Sequence, residues 1–246
     1  MPFEIGAITV GGINILTLII TKLKCYVKNN GSCNYGVGFT DKSLFDDDET
    51  EIKIVDLGCG TGSFTKKISS LSDEIYGCDI SSESIKTASN FYPKINFSVQ
   101  DIENLSYQNN FFDIVIFSGV LHHFDNLNKP LLEAKRILKN DGLIFAFDPN
   151  LHNPFFWIYR RKKSLFYSNE GVTDNEEPLT AKKIITSIKS CDFNKFSVYG
   201  ISGVPFNYIE SNKLSLFLPI YNFVDVLLNI IPFVRNKIGS FLIGKS

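Results

Sequence analysis

From residue 52 onward, apolar and polar positions alternate in blocks that predict strands and helices in turn. Short apolar runs predict strands at 52–57, 74–79, 95–99, 112–117 and 142–147. Longer amphipathic stretches between them predict helices over 62–71, 82–91 and 128–139. Ser81, just before Glu83-Ser84, reads as a helix cap. Asn140-Asp141-Gly142 reads as the end of the third helix. Such alternation implies an α/β fold, a doubly wound and mostly parallel sheet with helices on both faces. A ligand then sits at the carboxyl ends of the strands, near the point where strand order reverses.

After Asp148 the pattern changes. Residues 149–178 are irregular and aromatic, and a helix over 180–190 and a strand near 194–200 follow. Residues 203–236 interrupt before a last strand at 239–243. A closing strand pair, with an antiparallel final strand and an apolar helical insertion between its members, accounts for this. Leu214 to Val234 carries Asp225 as its only charge and prolines at 219 and 232. Those prolines argue against a spanning helix, so the segment reads as a hydrophobic lid or surface helix.

The amino-terminal run Ile5 to Thr21 is uncharged, and Lys22, Lys24 and Lys28 follow it. It contains three glycines and has no positive charge before it, so it does not read as a signal peptide. An apolar helix or strand packed on the domain is expected; a span would leave the rest of the chain in the cytoplasm. Residues 29–51 read as a solvated linker ending in Asp46-Asp47-Asp48-Glu49. The chain thus divides into an apolar segment and linker, 1–50, and a domain, 51–246, with insertions at about 149–178 and 203–236.

Composition narrows the function classes. The chain has 246 residues, 44% of them apolar, enough for one sizeable core. Twenty-five basic and 26 acidic residues are scattered, which gives no nucleic-acid footprint. Five cysteines without a C-x-x-C pair favour a reduced, cytoplasmic chain. The three histidines form no metal-ligand cluster with them, so no metal is expected.

The chemistry concentrates in Val55-Asp56-Leu57-Gly58-Cys59-Gly60-Thr61-Gly62. Three glycines at alternate positions force an abrupt turn of bare backbone after a buried strand. An acid beside that turn suits a ligand carrying a cationic group. A nicotinamide-binding loop spaces its glycines G-x-G-x-x-G, whereas Ser stands at position 63 here. Further on, Tyr76-Gly77-Cys78-Asp79-Ile80-Ser81 puts an acid at the end of the second strand, where it can accept both hydrogen bonds of a ribose diol.

Asp56 to Gly62 resembles the glycine-rich motif of class I S-adenosylmethionine-dependent methyltransferases, of the small-molecule branch. The resemblance covers roughly residues 50–150 and implies a Rossmann-like fold with S-adenosylmethionine as cofactor. It implies that Asp56, with Gly58, Cys59, Gly60 and Gly62, holds the amino-acid end of the cofactor. It places Asp79 on the ribose and Ile80 on the adenine face. In Val99-Gln100-Asp101-Ile102-Glu103 it sets Asp101 toward the adenine amino group and the Ile102 backbone at the ring. Ser118 ends the fourth strand, and Gly119-Val120-Leu121-His122-His123-Phe124 then runs beneath the cofactor.

A histidine beside the methyl donor can serve as general base toward a hydroxyl, because its pKa lies near neutrality. His123 is preferred over His122 for that role, and Asp113 reads as a strand start. Ser118-Gly119-Val120-Leu121 stands where base-methylating enzymes carry an Asn-Pro-Pro-Tyr-like tetrapeptide, so nucleic acid is not the expected acceptor. Asp148-Pro149-Asn150-Leu151-His152-Asn153-Pro154 follows the fifth strand and points into the cleft region; it resembles a variant of small-molecule methyltransferases linked loosely to lipid, quinone or glycan pathways. Trp157, Tyr159, Arg160, Arg161, Lys162 and Lys163 read most simply as a solvated helix face with its aromatics in the core; an anionic or interfacial target is the other reading.

The expectation is therefore O- or C-methylation of a small or lipid-like acceptor, with peripheral contact at a membrane surface. The alternative is a non-catalytic binding protein that keeps the fold. It predicts a damaged loop or ribose acid, and both are intact.

Overall fold

Apolar residues, with Asp56 as a buried exception, build the centre of the sheet. Ile54, Val55 and Leu57 on β1 (Lys53–Leu57) are buried, as are Ile114 to Phe117 on β4 (Phe112–Ser118). Strands buried on both faces belong in a parallel sheet covered by helices. The remaining strands are β2 (Glu74–Asp79), β3 (Asn96–Val99), β5 (Leu138–Pro149), β6 (Ser197–Ile201) and β7 (Phe241–Lys245). Their order in the sheet is β3-β2-β1-β4-β5-β7-β6. All pairings are parallel except those of β7, which runs antiparallel to β5 and to β6. Strand order reverses between β1 and β4, so the crevice for a ligand opens there.

The computed structural model describes residues 9–10, 13–14, 52–72, 74–160, 163–164, 167, 178–193, 196–201, 216–228, 237 and 241–245. The helices are α1 (Ser63–Ile68), α2 (Ser82–Phe91), α3 (Asn128–Ile137), α4 (Pro154–Arg160), α5 (Ala181–Ser190) and α6 (Leu218–Leu228). Ser81 caps α2 as expected, accepting from the Ser84 amide at 3.2 Å. Thr180 caps α5 in the same way through the Lys183 amide. α3 and α5 bury Leu131, Ala134, Ile184 and Ile188 in one cluster with Val115, Phe117 and Ile144 of the sheet. Asp113 is a strand-start residue: its carboxylate takes the Lys53 amide at 3.0 Å and the Lys139 ammonium at 2.8 Å. It thereby ties the starts of β1, β4 and β5.

One boundary is corrected. Asn140-Asp141-Gly142 does not cap α3, which ends at Ile137 and passes directly into β5. Leu138 at its end has an extended backbone, and Gly142 has no positive φ. Phe112 pairs with Leu138 but Ile114 with Leu143, so the stretch between is an irregularity in β5. Gly142 is there for want of room: a Cβ would lie 2.6 Å from Leu138 Cγ and 3.0 Å from the Asp113 carbonyl oxygen.

At the amino end, Thr9–Val10 and Ile13–Asn14 pair antiparallel, so an uninterrupted helix through these residues does not form. The rest of the 5–21 run, the 29–51 linker and most of 203–236 lie outside the described residues. Among the described residues, no helix is long and apolar enough to cross a membrane.

Candidate cofactor and methyl-transfer site

The glycine-rich loop leaves β1 and is stitched to β2 by backbone. The amides of Gly58 and Cys59 both donate to the Cys78 carbonyl, at 2.8 and 2.9 Å. Gly58, Gly60 and Gly62 have φ of 75°, 52° and 77°, a left-handed series that glycine adopts without strain. The Gly60 amide donates to Asp79 Oδ2 at 2.9 Å, and Ser81 donates to Oδ1 at 2.9 Å. Asp79 thus joins the loop to the tip of β2 and to the start of α2. Each carboxylate oxygen keeps a lone pair for a further donor such as a ribose hydroxyl.

Space and surface at this tip fit S-adenosylmethionine. A Cβ at Gly60 would meet nothing within 4 Å, so the loop's outer side is open. Ile80 beside it is 73% exposed, an apolar surface suited to a flat ring. Asp101 is exposed; its Oδ1 accepts the Glu103 amide at 2.9 Å, which fixes the turn after β3. Gln100 holds the same turn, accepting from the Ser106 amide and hydroxyl at 2.8 and 2.9 Å. Ile102 and Cys59 are buried, so any part they take in binding is through backbone.

Asp56 lies where it can act on a ligand only through the loop. It is 0% exposed and sits below the loop, not against an open ligand space. Thr65 on α1 donates to Oδ2 at 2.7 Å, and Ser118 at the end of β4 donates to Oδ1 at 2.8 Å. The carboxylate therefore braces loop, helix and neighbouring strand from beneath. Burial pushes its pKa up to about 7; the two hydroxyl bonds oppose the shift, and the charge of Asp79 adds to it.

The sign of the pH effect follows. Folded Asp56 holds its proton more tightly than the unfolded chain, so its contribution to stability is greatest in acid. That contribution is lost as pH rises from about 4 to about 7 and stays lost above. Asn at this position is neutral throughout. Melting curves of Asp56→Asn are expected to gain on wild type steadily between about pH 5 and about pH 7.5; a difference that stays constant across this range contradicts the buried-carboxylate account.

The segment after β4 passes under the loop. Gly119, with φ 73°, donates to the Phe147 carbonyl at 2.8 Å, and a 3-10 turn covers Leu121–His123. Val120 fills the space at Gly58, where a Cβ would lie 2.4 Å from its Cγ2. The rings of His122 and His123 lie 4.2 Å apart at 33°. Asp148 at the end of β5 receives both the backbone amide of His122 at 3.1 Å and its Nδ1 at 2.9 Å. Sequence reading gave Asp148 no role and preferred His123; the carboxylate goes to His122. Asp148 is 1% exposed, and burial raises its pKa against the His122 hydrogen bond.

The tract after Asp148 is packed at its two asparagines, while His152 and Pro154 are exposed. Asn150 and Asn153 are fully buried, and Asn150 Oδ1 accepts the His152 amide at 3.0 Å. The expected solvated basic face holds at Lys163, which is exposed, but not at Arg160, and the aromatics do not all lie in the core. Arg160 is buried at 5% exposure, while Trp157 is 47% exposed. Arg161 and Lys162 lie outside the described residues. Among the described residues, no group of His, Cys, Asp and Glu could hold a metal ion.

Residues 55–146 match the family model described as a methyltransferase domain. Malonyl-[acyl-carrier protein] O-methyltransferase of Buchnera aphidicola is 29% identical over 170 residues, 65% of this chain and 68% of that protein. Ubiquinone biosynthesis O-methyltransferase of Pelagibacter ubique is 24% identical over 194 residues, 76% of this chain and 77% of that one. Among solved structures, a SAM-dependent methyltransferase from Archaeoglobus fulgidus superposes with a TM-score of 0.56 at 18% identity. That match covers 94% of this chain and 93% of the other, and it extends the likeness in fold beyond the family model's span.

Proposed function

We propose that this chain, a class I S-adenosylmethionine-dependent methyltransferase of Rossmann-like fold, methylates a hydroxyl or an acidic carbon of a small, lipid-like acceptor. The observation that carries the cofactor part is the Gly60–Asp79 hydrogen bond under an open loop face. Bound there, S-adenosylmethionine supplies an electrophilic methyl group whose departing sulfur keeps the bonding pair. The chain's own share is alignment and exclusion of water, and alignment is worth about 7–11 kcal/mol in favourable cases. Gly58 to Gly62 present backbone, Asp79 offers its carboxylate to the ribose diol, and Ile80 offers an apolar face. Asp56, held by Thr65 and Ser118, keeps the loop in place from below.

Two relatives act, by their names, on an acyl-carrier-bound malonyl group and in ubiquinone biosynthesis, and both are O-methyltransferases. These names favour small-molecule oxygen acceptors over nucleic acid. The lipid-like part rests on α6. Ile220, Phe223, Val224 and Leu227 are 44–65% exposed and recur at helical spacing, so they form one apolar stripe. Leu216 and Phe217 extend it at 80% and 52% exposure. Such a stripe suits the headgroup boundary of a bilayer, at the cytoplasmic surface in this reading, and would bring the active site to an apolar acceptor.

Transfer of tritiated methyl from S-adenosylmethionine to fractionated cell extracts tests the acceptor class. Label is expected in the lipid-extractable fraction; label confined to nucleic acid overturns the reading. Flotation with phosphatidylcholine–phosphatidylglycerol vesicles tests the membrane contact. The chain is expected to float, and Ile220→Ser with Phe223→Ser is expected to leave it at the bottom while keeping S-adenosylhomocysteine binding. A wild-type chain that never floats contradicts the contact.

A further inference from the structure

We infer that Glu133 and Arg136 of α3 are positioning residues for the adenine end of the cofactor: they set the turn after β3 so that it accepts a 6-aminopurine and refuses a 6-oxopurine. This deepens the methyltransferase reading above and rests on it. The turn lies beside the anchor of the glycine loop. β3 pairs with β2 as far as Val99 and Asp79, and the Gln100 amide then donates to the Asp79 carbonyl at 3.0 Å. Residues 100–105 therefore leave the sheet at the strand end that carries Asp79 and the exposed Ile80. Asp101 Oδ1 takes the Glu103 amide and the Asp101 carbonyl takes the Asn104 amide at 3.0 Å, which closes the turn. A carboxylate accepts several donors, so the exposed Asp101 keeps capacity for a purine amino group.

Residues 105–109 lie outside the strands, so their backbone groups need partners elsewhere. α3 supplies them. Glu133 Oε2 accepts the Leu105 amide at 2.9 Å, and Arg136 Nη2 donates to the Leu105 carbonyl at 2.8 Å. Arg136 Nη1 donates to the Tyr107 carbonyl at 2.7 Å and to Asn109 Oδ1 at 2.9 Å. The two side chains are themselves locked as a bidentate pair, Nε to Oε1 at 2.9 Å and Nη2 to Oε2 at 2.7 Å. All five guanidinium N–H groups are thus engaged, a fork that lysine cannot reproduce. The Arg136 hydrogen bond holds the Glu133 carboxyl below the usual carboxylate range. Leu105 is buried in the core cluster, so the clamp grips a fixed point. The turn is thereby tied to Asp79 at one end and to α3 at the other, and the place of Asp101 relative to Asp79 depends on both.

The purine edge gives this arrangement a chemical consequence. Adenine offers an amino group, which donates to a carboxylate. A 6-oxopurine offers a carbonyl oxygen there, so two acceptors face each other. A site rejects such an analogue only while its acceptor cannot turn away to water. Releasing the turn from α3 gives Asp101 that freedom, and the preference fades. Lys129 also reaches the turn, its Nζ 3.0 Å from Glu103, but its side chain is 66% exposed, and such pairs contribute little.

Calorimetric titration of the full-length chain with S-adenosylhomocysteine and with its deaminated analogue, S-inosylhomocysteine, reads the ratio of affinities. The wild type is expected to prefer the amino form by at least about tenfold. In Arg136→Lys the preference is expected to fall below about threefold, with Glu133→Gln between the two. Lys129→Ala is expected to keep the wild-type ratio within about twofold. A clamp that only stabilises the fold weakens both ligands in proportion, so an unchanged ratio in Arg136→Lys overturns the inference. A wild type that binds the two ligands equally overturns it as well, and so does a Lys129→Ala ratio as low as that of Arg136→Lys.

A second measurement needs no variant to fold. The chain has four arginines, at 136, 160, 161 and 235, so guanidinium nitrogen spectra of the full-length wild type are simple enough to read. Before any ligand is added, Arg136 is expected to show separate signals for its Nη protons, because bonds on every nitrogen block rotation of the group. Averaged Nη signals from all four arginines overturn the inference. Failure of the wild type to bind S-adenosylhomocysteine at all would instead overturn the methyltransferase reading, and this inference with it, so the two failures are distinguishable.

Discussion

Replacing Asp79 by alanine is expected to weaken S-adenosylhomocysteine binding by at least about 100-fold, because it removes charge-assisted bonds that each carry about 1.5–3 kcal/mol. Two effects add. The carboxylate that would take the ribose diol disappears, and the loop and helix tip lose their shared anchor. Gly60 and Ser81 both donate to this side chain at 2.9 Å, one to each carboxylate oxygen. Asp79→Asn keeps the shape but exchanges one acceptor for a donor, so an intermediate loss is expected. Calorimetric titration of the three proteins reads the series directly. Equal affinity in wild type and Asp79→Ala would remove the ribose from this strand end.

Gly58→Ala is expected to cost stability more than any other single methyl added to the loop. A Cβ there would sit 2.4 Å from Val120 Cγ2 and 2.7 Å from Val120 Cβ. Val120 is β-branched, so its methyls cannot swing aside freely. The Gly58 backbone φ of 75° adds the left-handed penalty of about 1–2 kcal/mol, and overpacking adds about 1–3 kcal/mol. Together these predict a melting temperature lower by about 5–15 °C. Gly60→Ala is the internal control: it has a left-handed φ of 52° but nothing within 4 Å of the added carbon. It should pay the backbone cost alone. Val120→Ala in the Gly58→Ala background should recover part of the loss by removing the shortest contact. If Gly58→Ala and Gly60→Ala melt together, the passage of Val120 beneath the loop is not as described.

The central strands were legible in the sequence because burial on both faces leaves short, mostly apolar runs bounded by turn residues. The run at 74–79 matches β2 residue for residue, and 52–57 matches β1 to within one. The cap at Ser81 was legible because its chemistry is local. The end of α3 was not. Asn-Asp-Gly carries the composition of a helix stop, but glycine at 142 answers to crowding by Leu138 and Asp113, which only the folded sheet brings there. The buried place of Asp56 was hidden for the same reason. Its two donors come from 9 and 62 residues away. Asp148 and His122 stand 26 residues apart and meet because β4 and β5 are neighbours in the sheet. A spacing rule reads one strand end at a time; this pair needs two. On α4 the basic residues suggested a wet face, yet Arg160 is buried and Trp157 half exposed, since charge in a sequence does not state which side of a helix faces the core.

Gly60 N–H on Asp79 and Asp56 beneath the loop belong to one construction at the β1–β4 switch point. Its glycine spacing departs from the nicotinamide pattern at Ser63, and its open face lies over Gly60. The most direct test is calorimetric titration of the full-length chain with S-adenosylhomocysteine and, separately, with NAD. The account predicts one saturable site for S-adenosylhomocysteine and no heat of binding for NAD. Binding of NAD, or no binding of S-adenosylhomocysteine, would contradict it.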